Sequence, residues 1–248
     1  VEEAGSQPPL ADRLEGWIVE LLSDGKARSS LEIETAACRA WPGLLTPDRR
    51  LLLACLRSYG LWEAAQKTWQ LREEDQPGTR QQDCTEVMAL LAELGGRLGF
   101  QVEGENPIWW RGGPAEPRSY LFMVEPTARL AEAMRQSASG APQAGHASLP
   151  AAADRGAFVL PGLFSQASVL AEAPRKPVLV IPGGRASLLA EKARLDPRLR
   201  SWLEGDVQVI KFRHVRRLSS ETTLDPSNLE ERLALDPPSF QDPQLPLL

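Results

Sequence analysis

Apolar residues recur with helical spacing over the first sixty positions of the chain. Leu14, Trp17, Ile18, Leu21 and Leu22 fall at i, i+3, i+4, i+7 and i+8, which predicts an amphipathic helix from Leu10, ended by Asp24-Gly25. Ser29 or Ser30 can cap a second helix carrying Ile33, Ala36, Ala37 and Trp41, stopped by Pro42-Gly43. Thr46-Pro47-Asp48 opens a third, which buries Leu52, Cys55, Leu56 and Tyr59 and stops at Gly60. Two short pieces, Leu61-Trp62 and Thr68–Leu71, then read as a small hairpin. After the polar break at Glu73–Gly78 comes a long helix from about Thr79 to Leu98, with Val87, Met88, Leu91, Leu94 and Leu98 as its stripe. Three strands of a meander follow, around 100–102, 108–110 and 120–124, and then a helix from Thr127 to about Arg135. The remaining pattern predicts strand 158–160, helix 163–172, strand 178–181 and helix 185–195. A short helix opened by Asp196-Pro197 and a closing strand, Val207–Val215, complete it.

Three helices followed by a hairpin is the layout of a winged helix, whose third helix can enter a major groove and here offers Arg49 and Arg50, with Arg57 beyond. The fold expectation is therefore α/β (α+β overall). A flexible lead-in (1–9) and a winged-helix domain (10–76) precede an α/β domain (79–218), and an acidic, Pro-rich tail (219–248) follows. Residues 136–153 are small and punctuated by Pro and Gly, and read as a mobile loop that holds an incidental His146.

Composition adds limits. No run of about 18 apolar residues occurs, so no membrane span or membrane partner is expected. Cys38, Cys55 and Cys84 sit inside apolar helical patterns with only two histidines in the chain, which argues against a disulfide frame or a zinc site and fits a reducing, cytoplasmic setting. No metal or cofactor is expected. The start at Val1 suggests a piece of a larger parent chain.

Charge changes the picture most. Residues 175–217 carry 11 Lys and Arg against 4 Asp and Glu, while residues 1–116 carry 12 against 19. The cations named by this island are Arg185, Lys192, Arg198, Lys211, Arg213, Arg216 and Arg217, with Arg194 and Arg200 beside them. On the expected last strand Lys211 and Arg213 share a face, and Arg216-Arg217 extend a strip that can contact phosphates without reading sequence. Charges that guard an edge strand against aggregation would look the same. Pro182-Gly183-Gly184-Arg185 can cradle an anion at a helix start, but a tight strand-to-helix turn selects the same glycines.

The order of elements after Thr79, with Leu98-Gly99-Phe100-Gln101-Val102 and Glu125-Pro126-Thr127, resembles the restriction-endonuclease-like PD-(D/E)XK superfamily. The resemblance implies a Mg²⁺-dependent phosphodiesterase site with two carboxylates and a lysine. Glu125 stands where that family places its glutamate, which makes it the catalytic candidate. Thr127 stands at the lysine position, tryptophan stands at the aspartate position, and Glu103 and Glu105 lie upstream. A carboxylate favoured by the dipole of the helix that follows is the other reading of Glu125.

Residues 10–217 also resemble the C-terminal region of large bacterial DNA methyltransferase or phage-defence proteins. The phrases that carry this are PGLLTP (42–47), WQLR (69–72), IPGGRA (181–186), DPRL (196–199) and VIKFRH (209–214). That resemblance implies an accessory DNA-handling piece, since no glycine-rich cofactor fingerprint and no methyltransferase catalytic motif occurs. The expected function is thus a non-catalytic DNA-binding or target-positioning module of an antiviral defence or DNA-modification system. The alternatives are a protein-interaction scaffold that docks partner subunits and a divergent Mg²⁺ nuclease using Glu125.

Overall fold

The structure, a computed structural model, describes residues 8–43, 46–113, 118–139 and 175–235. Helix α1 (Leu10–Leu22) buries Leu14, Ile18 and Leu22 along one face. A two-residue strand β1 (Arg28–Ser29) leads into α2 (Ser30–Ala40), where Ser29 and Glu32 form a reciprocal capping box. Helix α3 (Arg49–Tyr59) is capped by Asp48, whose side chain accepts from the Arg50 backbone N–H. The hairpin β2 (Gly60–Glu63) and β3 (Thr68–Leu71) follows, and β1 pairs with the far side of β3 to give the order β1-β3-β2.

Helix α4 (Pro77–Arg97) precedes the main sheet. Its strands are β4 (Gln101–Glu103), β5 (Ile108–Arg111), β6 (Ser119–Val124), β7 (Arg175–Ile181) and β8 (Gln208–Lys211), side by side in that order. The first three pair antiparallel, whereas β6, β7 and β8 run parallel, with Phe122 opposite Val178 and Val180 opposite Ile210. Helix α5 (Ala131–Ser139) follows β6. Helices α6 (Ala186–Leu195) and α7 (Pro197–Ser201) connect β7 to β8, and α8 (Phe212–Ser220) and α9 (Leu229–Ala234) end the described chain.

Alternation along the strands makes this a three-layer arrangement. Trp109, Leu121, Met123, Leu179, Ile181 and Val209 face a core shared with α1, α2, α3, α5, α6 and α7. Ile108, Trp110, Phe122, Val178, Val180 and Ile210 face a second core built with α4, α8 and α9. The break at 73–78 therefore does not separate two cores, because the N-terminal helices pack on one face of the main sheet.

Several expectations require correction. The strand expected over Val207–Val215 ends at Lys211, and Phe212 begins α8. Phe212, Val215 and Leu218 recur with helical spacing and bury against the α4 side of the sheet, which outweighs the β-branched character of the segment. The tail expected from Ser219 is folded over its described residues, up to Leu235: Leu224, Leu229 and Leu233 complete the second core, and Arg97 donates to the carbonyls of Leu218, Ser219 and Glu221. The helix expected from Thr127 to about Arg135 runs from Ala131 to Ser139, so residues 136–139 of the expected loop 136–153 are helical and the rest of that loop lies outside the described residues. The elements expected at 158–160 and 163–172, His146, and the lead-in up to residue 7 lie outside the described residues.

Two neighbouring glycines in α4 test the packing. A Cβ on Gly95 would lie 2.6 Å from Trp110 Nε1 and 2.7 Å from Val102 Cγ2, whereas one on Gly96 meets nothing within 4 Å. Gly95→Ala is expected to cost about 1–3 kcal/mol, and Gly96→Ala to stabilise by up to about 1 kcal/mol. Urea unfolding of the two variants measures both.

Candidate functional site

The most charged place in the interior lies where α1, α3, α6 and the segment after β6 meet. Lys192 of α6 is fully buried, and its ammonium donates to Asp12 Oδ1 (2.6 Å), to Glu15 and to the carbonyl of Ala128 (2.6 Å). Glu15 also accepts from the Tyr59 hydroxyl and from the Ala128 N–H (2.6 Å), and Asp12 Oδ2 accepts from the Ala131 N–H (3.1 Å). Burial opposes the charge on Lys192, but Glu15 and Asp12 outweigh it and hold the ammonium's pKa above its usual value. Burial, reinforced by Glu15, pushes the Tyr59 phenol well up, so it stays a donor.

A second chain of ion pairs starts at Arg185, on the other side of Tyr59. Its guanidinium lies 3.9 Å from the centre of the Tyr59 ring and donates to the Ser58 carbonyl and to Asp75. Asp75 Oδ1 also accepts from Arg80 Nη2 (2.6 Å), Arg80 Nη1 reaches Asp83 (2.9 Å), and Arg216 Nη2 reaches Asp83 (2.9 Å). Arg216 Nε closes the chain on Glu86 (3.0 Å). The sequence Arg185–Asp75–Arg80–Asp83–Arg216–Glu86 thus runs from the start of α6 through α4 to α8.

These contacts decide where each expected site residue stands. Arg185 turns inward from the glycine turn, and Gly184, with φ 76°, occupies the left-handed region that only glycine adopts freely. Lys192 is consumed by the buried cluster, and Arg216 by Asp83 and Glu86. Arg49 is exposed and pairs with Glu34 at 2.9 Å. Arg50, Arg198, Arg213 and Arg217 are exposed, and Lys211 is half-buried at the end of β8. Arg213 lies in α8, so it does not continue a strand face with Lys211.

The sheet divides the cations. Arg185, Lys192 and Arg198 belong to helices on the α3 side, and Arg213, Arg216 and Arg217 to α8 on the α4 side. Helix α3 packs against α1 and α6 and is buried along most of its perimeter, leaving Arg49, Arg50 and Arg57 exposed. Arg194 Nη2 reaches Asp48 Oδ2 at 2.9 Å, which sets the start of α3 beside the end of α6. The pair brings the start of α3, which carries Arg49 and Arg50, to Arg194 at the end of α6, and α7 with Arg198 follows next in the chain.

Glu125 is half-buried after β6, where its N–H donates to the Val180 carbonyl. Burial raises its pKa to about 7, with Arg129 opposing that rise and Glu132, Asp12 and Glu15 adding to it. Trp109 and Trp110, in the zone of the expected metal acid, are buried on opposite faces of the sheet. Among the described residues no group of three His, Cys, Asp or Glu side chains is placed to hold a metal ion. The described residues do not fit the Mg²⁺ site that the nuclease resemblance implies.

Sequence reasoning missed Asp12, Glu15, Tyr59, Asp75 and Arg80. The available signal was Asp12 and Glu15 flanking Leu14 and Ile18, but acids beside an apolar stripe read equally as a solvated flank. Comparison of the chain with family models, with curated proteins and with solved structures gave no match.

Two measurements test the electrostatics. Lys192→Met leaves two buried carboxylates without their cation and is expected to cost about 3–5 kcal/mol, whereas the exposed Arg200→Met stays within about 0.5 kcal/mol. Glu125 binds its proton more tightly folded than unfolded, so it favours folding fully below its unfolded pKa and loses that contribution as pH rises through about 7. Glu125→Gln should therefore raise stability at pH 8 and leave it nearly unchanged at pH 4.5, read by denaturant unfolding at both pH values.

Proposed function

We propose that the chain is a non-catalytic DNA-handling module that positions a target for a DNA-modification or defence system, and that it touches phosphates through the surface where α3 meets α6 and α7. The observation that carries this reading is the Arg194–Asp48 pair, which brings the start of α3, with Arg49 and Arg50, to the end of α6, just before Arg198 of α7, although they come from distant stretches of the sequence. Arg50, Arg198 and Arg200 are exposed there, available for charge-assisted contacts to phosphate oxygens. The order helix, three antiparallel strands, helix from α4 to α5 supports the reading, being the order the nuclease-like resemblance implies for those elements. The buried Arg185 and Lys192 and the paired Arg216 are engaged by carboxylates and are not part of this surface.

A second reading, a protein-docking scaffold, draws on the wing. Leu31, Leu61 and Trp62 are 72%, 62% and 42% exposed. Trp62 packs on Trp69 at 4.9 Å between ring centres, and Trp69 Nε1 donates to Ser30 Oγ (3.0 Å), next to Leu31. Exposed apolar side chains held on a small rigid sheet suit a protein partner better than a phosphate backbone.

A salt-titrated duplex-binding assay decides between them. Phosphate contact predicts a log–log salt slope of about −0.9 per phosphate engaged, and Arg50→Glu with Arg198→Glu should flatten the slope by about 2 and weaken binding at least tenfold. Trp62→Ala should leave duplex affinity unchanged. Absence of duplex binding at low salt, or binding indifferent to Arg50→Glu with Arg198→Glu, overturns the DNA reading. A partner protein retained in nuclease-treated extract and lost with Trp62→Ala would then favour docking.

A further inference from the structure

Arg129, which follows β6, lines two crevices, one of about 390 Å³ that reaches α4 and one of about 500 Å³ along α1. The smaller is also lined by Val124, the last residue of β6. The carboxyl ends of parallel strands are where open α/β sheets commonly hold ligands, and this volume lies within the roughly 300–1,000 Å³ usual for small-molecule sites. Val19 of α1, Met88 of α4 and Pro126 supply apolar wall. Cys84 adds to it, because burial pushes its thiol up to about 11 and keeps it neutral.

Arg129 is exposed, and its neighbours set its position. Its Nε donates to Thr127 Oγ1 at 3.3 Å. Its Nη1 lies against α1 where Gly16 has no side chain, since a Cβ there would come within 3.3 Å. Among the described residues Arg129 forms no ion pair, and its Nη groups donate to no acceptor. The other charged residues of the smaller crevice, Asp75 and Arg80, are bonded to each other at 2.6 Å. They belong to a chain of three arginines and three carboxylates, so Arg129 is the one uncompensated charge in the lining.

The larger crevice does not cancel it. There Glu132 pairs with Arg135, Asp12 pairs with Lys192, and Arg13 and Glu20 add one charge of each sign. Burial raises Glu125 to about 7, so below that pH it places little negative charge beside Arg129. Thr127 and the exposed Gln81 line the smaller crevice and offer a hydroxyl and a side-chain amide as further donors.

We propose that Arg129 and the smaller crevice bind an apolar monocarboxylate, with its oxygens on the Arg129 fork and its hydrocarbon body along Val19, Met88 and Pro126. The planar guanidinium matches a carboxylate with two parallel N–H donors, and a single uncompensated cation balances a monoanion rather than a phosphate dianion. None of the lining residues belongs to the proposed phosphate surface, so this binding stands or falls independently of duplex binding.

The test is isothermal titration calorimetry of the full chain with octanoate and 4-phenylbutyrate at about pH 6, where Glu125 is largely protonated. At least one acid should bind with Kd of about 1 mM or tighter. The amide of that acid, which keeps the body and loses the charge, should bind at least about tenfold more weakly, and so should acetate, which lacks the body. Arg129→Met should weaken the acid about tenfold and leave thermal unfolding at the wild-type value, because Arg129 is exposed and unpaired. Met88→Trp, which narrows the crevice, should weaken it as much. The proposal is overturned if neither acid binds, if the amide or acetate binds as tightly as the acid, or if phenyl phosphate binds more tightly. It is equally overturned if either variant, still folded, leaves the affinity unchanged. The comparison of acid with amide uses the unaltered chain, so it decides even where a variant fails to fold.

Discussion

Tyr59 is the residue on which the two halves of the molecule meet. Its hydroxyl donates to Glu15, itself bound to Lys192 and to the Ala128 N–H, and its ring lies under Arg185, itself bound to Asp75. One side chain at the end of α3 thus joins two buried ionic systems, one reaching α1 and one reaching α4 and α8. Buried ion pairs of this kind add little net stability over apolar packing, but removing one partner is expensive. They discriminate against any other docking of the N-terminal helices on the sheet, because a shifted register would strand charges away from water.

That constraint reshapes the electrostatic account of the chain. A local excess of cations is ordinarily read as an outward-facing field. Here Arg185 and Lys192 answer carboxylates contributed from residues 12, 15 and 75, in the acidic half of the sequence. Some of the opposite charge of the two halves is therefore spent across a single internal contact. The outward field is what remains, and it is split by the sheet into a patch near Arg50 and Arg198 and another along α8.

Much of the fold was legible in the sequence. The stripes of α1, α3 and α4, the capping residues Ser29 and Asp196, the hairpin and the three-strand meander all follow from local periodicity and turn chemistry, whereas the cap of α3 is Asp48 and not the expected Thr46. Val207–Val215 misled because Val209, Ile210, Val215 and the alternating cations favour a strand locally. The helix from Phe212 exists because Phe212, Val215 and Leu218 find α4. Leu224, Leu229 and Leu233 were hidden in the same way by acidic, turn-forming neighbours.

The sequence by itself determined most of the described helices and strands before Phe212, where most of them stop, and that cations gather late in the chain. Those properties depend on neighbours within a few positions. Only the tertiary structure decided which cations are interior and which are surface. Lys192 and Arg198 are six positions apart and chemically alike to a local reading, yet one is buried among carboxylates and the other is exposed on the next helix. Asp12 and Glu15 lie more than a hundred positions from Lys192, and Asp75 lies as far from Arg185. Coulomb attraction acts through space, so the partners of a charge become visible only once the chain has folded.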